Sequence, residues 1–195
     1  MSFSDVAYLA GALRDGSIFY EKSSRNYKVV WYEQNEAWLR DSIARRVKVL
    51  FGKEARINEY KPRQFRALVS SQAVHDYFVR EFRFVSPQVF WGTPPKIRQA
   101  DDETIAAYVA GFFDAEGDVG KWEAGFSQKN LESLQFIKEW LDSRGIPSSK
   151  IFVADKKSGT HRFYVRSRFL EPFSRCVPFE HPDKRLELEQ VLQQT

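Results

Sequence analysis

Apolar and polar positions along this chain fall into a helix-and-hairpin pattern that occurs twice, one hundred residues apart. Ala7-Tyr8-Leu9-Ala10-Gly11 returns as Ala107-Tyr108-Val109-Ala110-Gly111. Each copy runs into acidic residues and glycine, Arg14-Asp15-Gly16 in the first and Asp114-Ala115-Glu116-Gly117 in the second. An internal repeat of this length is read before anything else, because it sets the architecture. After Gly16, Ser17-Ile18-Phe19-Tyr20 and Tyr27-Lys28-Val29-Val30-Trp31-Tyr32 flank a charged turn. β-branched and aromatic residues around a polar turn predict a hairpin. A helix follows, with Asn35 as its N-cap, Leu39, Ile43, Val47 and Leu50 on one face, and Gly52 as its stop. The second copy matches: Phe126-Ser127-Gln128 leads to Asn130, then Leu134, Ile137 and Leu141 at helical spacing, and Gly145. Two more strands follow each helix, over 54–60 and 64–70 and over 150–154 and 161–166. A helix is predicted over 72–84, and a short one near 186–192 closes the second copy.

Each half therefore reads α-β-β-α-β-β-α, an α+β arrangement with antiparallel sheets. The first repeat spans 1–91 and the second 104–195. The linker between them, 92–103, is polar and carries Pro94 and Pro95.

The repeated helices carry chemistry. Ala7, Ala10, Gly11 and Ala12 in one, and Ala106, Ala107, Ala110, Gly111 and Ala115 in the other, are small enough to let two backbones pack side by side about a pseudo-twofold axis. Gly inside a helix costs about 1 kcal/mol relative to Ala, and close packing offsets that cost. Each helix ends in a carboxylate before glycine, Asp15-Gly16 and Glu116-Gly117. A helix C-terminus is the negative end of the macrodipole, so an acid there calls for a cation. Two such ends side by side supply hard oxygen ligands suited to Mg²⁺.

Composition narrows the field. The 195 residues are 43% hydrophobic and 15% aromatic, enough to bury a core. A net charge of +4 and a pI near 9.1 are compatible with an anionic partner without demanding one. Cys176 is the only cysteine, which excludes an internal disulfide and a cysteine zinc site and suits a small buried hydrophobe. His75, His161 and His181 lack metal-ligand spacing. The N-terminus has no secretory pattern and no apolar run spans a bilayer, so a cytoplasmic protein without membrane contact is expected. Of the tryptophans, Trp38 and Trp140 are expected to pack on helices and most of Trp31, Trp91 and Trp122 to be core.

Val109-Ala110-Gly111-Phe112-Phe113-Asp114-Ala115-Glu116-Gly117 resembles the LAGLIDADG motif, with Glu in place of the last Asp, and Leu9-Ala10-Gly11-Ala12-Leu13-Arg14-Asp15-Gly16 resembles a second, divergent copy. The resemblance to single-chain, two-repeat LAGLIDADG homing endonucleases covers nearly the whole chain. It implies a monomer whose sheets form a saddle over the major groove of double-stranded DNA with a long recognition site. Asp15 and Glu116 would hold Mg²⁺, which Mn²⁺ or Ca²⁺ replaces for binding. An activated water would attack phosphorus in line, leaving 5′-phosphate and 3′-hydroxyl ends. Gln34 and Gln128, just before the caps, with Lys129 adjacent, would orient that water. Lys184, and in the first copy Lys96, would stabilise charge at the phosphate. The absence of splicing blocks suggests an intron-encoded enzyme. A splicing maturase or a non-cleaving DNA-binding regulator is the alternative, and an acid in both motifs argues for cleavage. One departure stands out: Gly11 to Asp15 is four steps, Gly111 to Glu116 five. At about 100° per residue, equivalent carboxylates imply non-equivalent glycines.

Strand alternation nominates the DNA-facing side chains. Arg162, Tyr164 and Arg166 share one face; Arg56 and Asn58 alternate with Ile57; Lys28 lies opposite Val29. Lys22, Arg63, Arg66, Lys121, Glu123 and Lys150 join them as expected DNA contacts.

Overall fold

The computed structural model describes residues 2–85 and 88–194; the outermost residues of the two expected repeats, 1 and 195, lie outside them. Helix α1 (Phe3–Ala12) tightens into a 3-10 turn (Leu13–Asp15) and enters the hairpin β1 (Gly16–Glu21) and β2 (Asn26–Glu33). Helix α2 (Glu36–Trp38), a π-helical stretch (Leu39–Ala44) and α3 (Arg45–Phe51) make one helical run. Strands β3 (Arg56–Lys61) and β4 (Gln64–Ser70) and helix α4 (Gln72–Phe82) follow. After α5 (Pro95–Arg98) the series recurs: α6 (Asp102–Glu116), β5 (Gly117–Gly120), β6 (Glu123–Gln128), α7 (Leu131–Ser143), β7 (Phe152–Asp155) and β8 (Thr160–Arg166). Helices α8 (Leu170–Cys176) and α9 (Pro182–Gln193) close the chain.

The two sheets have the same order, β1-β2-β4-β3 and β5-β6-β8-β7, with every pairing antiparallel. The helix boundaries follow from capping. Asn35 Oδ1 accepts from Trp38 N–H and Asn130 Oδ1 from Ser133 N–H, both at 3.0 Å. Gly52 and Gly145 take left-handed φ values of 63° and 73° where the helices stop.

Some boundaries differ from the sequence reading. Strands β3 and β7 start later than expected: Glu54 is drawn to Lys48 rather than to a ladder, and Lys150 lies in the connection before β7. Helix α4 stops at Phe82, where Arg83 turns left-handed at φ 57°. Two helices, not one, end the second repeat, and α9 begins at Pro182, whose missing N–H costs nothing at a first helical position. The linker is not a mere spacer, because α5 buries Ile97.

One face of each sheet packs on helices. Val29, Trp31, Ala67 and Val69 in the first sheet, and Ala124, Phe126, Phe163 and Val165 in the second, join a continuous core. Trp31, Trp38, Trp91 and Trp140 are buried and Trp122 is exposed, while Cys176 packs against the core edge. The opposite faces are open. Arg56, Asn58 and Arg66 lie on the first, and Glu123, Arg162, Tyr164 and Arg166 on the second. Lys28 shares the first of these faces but is buried, its Nζ donating to Ser70 Oγ at 2.7 Å and standing 3.6 Å from Glu21. Lys22, Arg63 and Lys121 occupy hairpin turns.

Helices α1 and α6 cross at their glycines. A Cβ on Gly11 would stand 2.1 Å from Tyr108 O, and one on Gly111 would stand 2.1 Å from Tyr8 O. The glycines are therefore equivalent, contrary to the expectation from residue counting. The 3-10 turn supplies the reason. One α step and three 3-10 steps rise ~7.5 Å and rotate ~460°, against ~7.5 Å and ~500° for five α steps. Tighter winding absorbs the missing residue, so Asp15 and Glu116 both end their helices beside matched strands.

Candidate active site at the ends of the paired helices

Asp15 is followed by Gly16, which pairs with Trp31, and Glu116 by Gly117, which pairs with Phe126. This common register defines equivalent positions. Two residues beyond Trp31 is Glu33; two beyond Phe126 is Gln128. Both are on the helix-facing parity of their strands. Gln128 Nε2 donates to Glu116 Oε1 at 2.9 Å. The counterpart of Gln128 is thus Glu33 rather than Gln34. Gln34 and Lys129 are exposed one residue further on, although Gln34 still lines the cleft described below. Matching glutamine to glutamine misaligns the two copies, because Gln34 precedes its cap Asn35 by one residue and Gln128 precedes Asn130 by two; an equal count from the caps, like the buried aromatics Trp31 and Phe126, points to Glu33.

A carboxylate cannot do what Gln128 does, since it has no proton to donate to Asp15. Glu33 instead accepts from the Gln34 N–H at 2.6 Å and faces His181, whose Nε2 is 3.8 Å from Glu33 Oε2. Burial pushes the Glu33 carboxyl up, but His181, the Gln34 N–H and Lys184 outweigh it and leave it below its ordinary value. The adjacent acids behave oppositely. Burial, then the Glu33 charge, pushes Asp15 up to about 6 against the pull of Lys184. Burial, then the Asp15 charge, pushes Glu116 up to about 7, with Gln128, Arg14 and Lys184 partly offsetting it. Asp15 is open to water on its cleft side and enclosed by protein on the other, so solvent moderates its shift.

The free carbonyls of the helix ends are satisfied differently in the two halves. Lys184 Nζ donates to Phe113 O at 2.9 Å and Asp114 O at 2.6 Å, under α6. In the first half Gln88 Nε2 donates to Leu13 O at 3.5 Å and to Arg14 O. Gln88 therefore stands where Lys96 is expected. Lys96 is not at the cleft: its ammonium pairs with Glu81 of α4. Asp114, the other acid of the second motif, is fully buried and accepts from Tyr8 Oη and from the Glu180 and His181 N–H groups at 2.8 and 3.0 Å. It fastens the approach to α9 onto the helix pair. Arg14, also buried, donates to Ser133 Oγ at 3.0 Å and lies over the Phe112 ring.

Asp15, Glu33, Gln34, Asp118, His181 and Lys184 line a cleft of about 370 Å³. A water occupies ~30 Å³, so the cleft has room for a phosphodiester and several waters. Glu116, between Ala115 and Gly117 on the cleft wall, is drawn aside by Gln128. Among the described residues no three His, Cys, Asp or Glu side chains could hold a metal ion on their own. None of their helices is long and apolar enough to cross a membrane.

Comparison with known proteins gives this arrangement its family. Residues 103–176 match the model of the LAGLIDADG-like domain. The homing endonuclease I-ApeI of Aeropyrum pernix is 32% identical over 194 residues, covering 95% of this chain and 86% of that protein. The chain belongs to the LAGLIDADG homing endonuclease family. The fold of this LAGLIDADG protein is also that of I-DmoI in complex with DNA and Mn, with a TM-score of 0.75, 21% identity and coverage of 92% of this chain and 99% of that one. I-WcaI bound to its DNA recognition sequence matches with a TM-score of 0.61 and 15% identity, covering 96% of this chain and 86% of that one.

Proposed function

We propose that this LAGLIDADG protein is a site-specific endonuclease that hydrolyses both strands of duplex DNA with a divalent cation, Mg²⁺ in its natural setting and Mn²⁺ or Ca²⁺ as replacements for binding. The carrying observation is the pair Asp15 and Glu116: one carboxylate from each repeat, brought to the ends of two abutting helices, each raised by burial and by a neighbouring acid. Such a pair is relieved by positive charge. One carboxylate from each repeat is the number Mg²⁺ commonly takes, since it keeps waters and substrate phosphate oxygens as its other ligands. When bound there, the ion would lower the pKa of a water and offset charge on the leaving oxygen.

The chain's own groups supply the rest. Gln128 holds Glu116 in one orientation. Lys184 spends two of its three N–H donors on helix carbonyls, leaving one for a phosphate oxygen in the cleft. Glu33 at the end of β2 and Gln34 just beyond it line the same cleft. The open sheet faces, with Arg56, Asn58, Arg66, Tyr164 and Arg166, would straddle the major groove, Lys28 supporting the first from below through Ser70, and Lys22, Arg63, Lys121 and Lys150 would reach the flanking phosphates. Both half-sites come from one chain, the repeats being 1–91 and 104–195, so the active species is a monomer. A cytoplasmic, intron-encoded origin agrees with this reading.

Selection of cleaved sites from a genomic or random duplex library with Mg²⁺ tests the function. Double-strand breaks at a defined long site are expected; a protein that binds duplexes but nicks none, with Mg²⁺ or Mn²⁺, is not an endonuclease. Binding is expected to weaken by roughly 10³- to 10⁵-fold between 50 and 200 mM salt, as 6–10 phosphate contacts require; a flat salt titration would contradict the saddle.

The unequal partners of the two acids give a second test. Glu33→Gln removes a negative charge beside Asp15 alone. The Mg²⁺ concentration for half-maximal nicking should rise roughly tenfold on one strand, about the effect of one nearby charge at a partly solvated site, and stay within about twofold on the other. Strand-labelled duplexes report this, and equal shifts on both strands would remove Glu33 from the site.

A further inference from the structure

Arg162 is placed to read a guanine, but its donors are already committed. Nη1 donates to Asp118 Oδ1 and, at 3.3 Å, to Ser127 Oγ; Nη2 donates to Asp118 Oδ2 at 2.9 Å and to Glu123 Oε1 at 3.0 Å. Those are all four terminal N–H groups of the guanidinium, and only Nε–H remains. Hydrogen bonds to Asp118 and then Glu123 raise its pKa above the usual guanidinium value, so it stays charged. The side chain lies flat across β6 because position 125 is glycine: a Cβ there would stand 2.2 Å from Nη2 and 2.4 Å from Cζ. Cross-strand pairs place Asp118 beside Gly125 and Ser127 beside Arg162 on the open face of the second sheet.

The cluster of one guanidinium and two carboxylates carries a net charge of about −1 at neutral pH. On a surface that meets phosphates a net negative group weakens binding to every sequence. It is useful only where it meets a hydrogen-bond donor, and in the major groove those are the exocyclic amino groups. Asp118 has both oxygens in the fork of Arg162 and also lines the cleavage cleft. Glu123 has one oxygen on Arg162 and is a third exposed, so its other oxygen is the acceptor that faces outward. Of the two bases with amino donors, adenine N6 sits beside the N7 acceptor, which repels a carboxylate. Cytosine N4 has no such neighbour on its own base.

We propose that Glu123 is a specificity-determining residue that accepts a hydrogen bond from N4 of one cytosine in the target, and that Arg162, lying over Gly125, is the positioning residue that fixes it. The proposal rests on the duplex-binding reading of the open sheet face. It changes the role of Arg162 from base reader to support.

The test is selection of bound duplexes from a random library in Ca²⁺, so that the base profile does not depend on cleavage. The natural protein should show a strong cytosine preference at one base pair that Glu123→Ala flattens by roughly tenfold, in the range of single-pair readout, with other positions unchanged. Glu123→Gln should shift that position toward adenine, because an amide both accepts and donates. Gly125→Ala keeps the carboxylate but displaces the guanidinium, and should flatten the same base pair alone. A merely structural role for Arg162 would lower affinity evenly. The proposal is overturned if Glu123→Ala leaves every position unchanged, or alters affinity uniformly for all sequences. Failure of the endonuclease reading shows separately, as selected duplexes that stay uncut in Mg²⁺ while the profile still responds to Glu123.

Discussion

Glu116→Gln is expected to lower the rate of double-strand cleavage by roughly 10³-fold or more, the scale for removing a charge that acts on the transition state rather than on binding, while binding of the target stays within a few-fold. The amide has the same shape and keeps a hydrogen bond to Gln128 available, so the fold is not disturbed. Asp15→Asn should do the same. A variant that still breaks both strands at the natural rate would remove that residue from the site. The same substitution has an effect on stability of the opposite sign. The folded-state value of Glu116, about 7, lies above its ordinary value. Without cation the native state therefore holds this proton to higher pH than the unfolded chain does. Stability must then fall as pH rises from about 4.5, the ordinary glutamate range, through about 7. Cation-free Glu116→Gln should lack that decline and be more stable at pH 7.5 by on the order of 1–3 kcal/mol, after allowing for partial solvent screening. Added Mg²⁺ should raise the melting temperature of the natural protein and not that of the variant. Thermal scans from pH 5 to 8, with and without Mg²⁺, read all three effects, and a natural protein that gains stability toward pH 7.5 without cation would contradict the buried acid.

Which parts of this were legible in the sequence follows from how local each cause is. Asn35 and Asn130 cap helices three residues away, and the alternation of Arg162, Tyr164 and Arg166 is a property of one strand, so both could be read directly. The acids Asp15 and Glu116 stand out because the motif, the glycine and the hairpin are consecutive. What failed to show depends on partners far along the chain. The carbonyls that Gln88 satisfies are 74 and 75 residues before it, and no local pattern marks that glutamine. The donors of Arg162 are taken by residues on β5 and β6, so the strand that predicts its direction says nothing of its availability. The register of the motif helices is a third case. Residue counting assumes uniform α winding, and the 3-10 turn breaks that assumption at the point where the two carboxylates must match. Glu33 is different, since the alternation from Trp31 and the count back from Asn35 both place it, and only the match of one glutamine to another hid it.

Gly111→Ala should be among the most destabilising small changes in the molecule. Its Cβ would stand 2.1 Å from Tyr8 O and 2.9 Å from Ala12 N, both backbone atoms that no rotamer change can move. Helices α1 and α6 must therefore separate, opening voids along an interface of Ala7, Ala10, Ala110 and their neighbours, all close to fully buried. Overpacking of this kind costs at least ~1–3 kcal/mol, and with backbone as the obstacle we expect about 3–5 kcal/mol, against a total stability of roughly 5–15 kcal/mol for a typical domain. For a chain of this length each kcal/mol lowers the melting temperature by about 2–4 °C. Gly11→Ala should match it, since its Cβ meets Tyr108 O at the same 2.1 Å. The double variant should cost clearly less than the sum, because a gap opened for one methyl accommodates the other across the pseudo-twofold axis. Equilibrium unfolding of the two singles and the double tests this; singles that lose under 1 kcal/mol, or a double that is fully additive, would show that the helices do not cross at these glycines. Cleavage should suffer beyond the loss of folded protein. The helix ends that carry Asp15 and Glu116 are positioned by this crossing, so even a fully folded Gly111→Ala population holds its two carboxylates at the wrong separation.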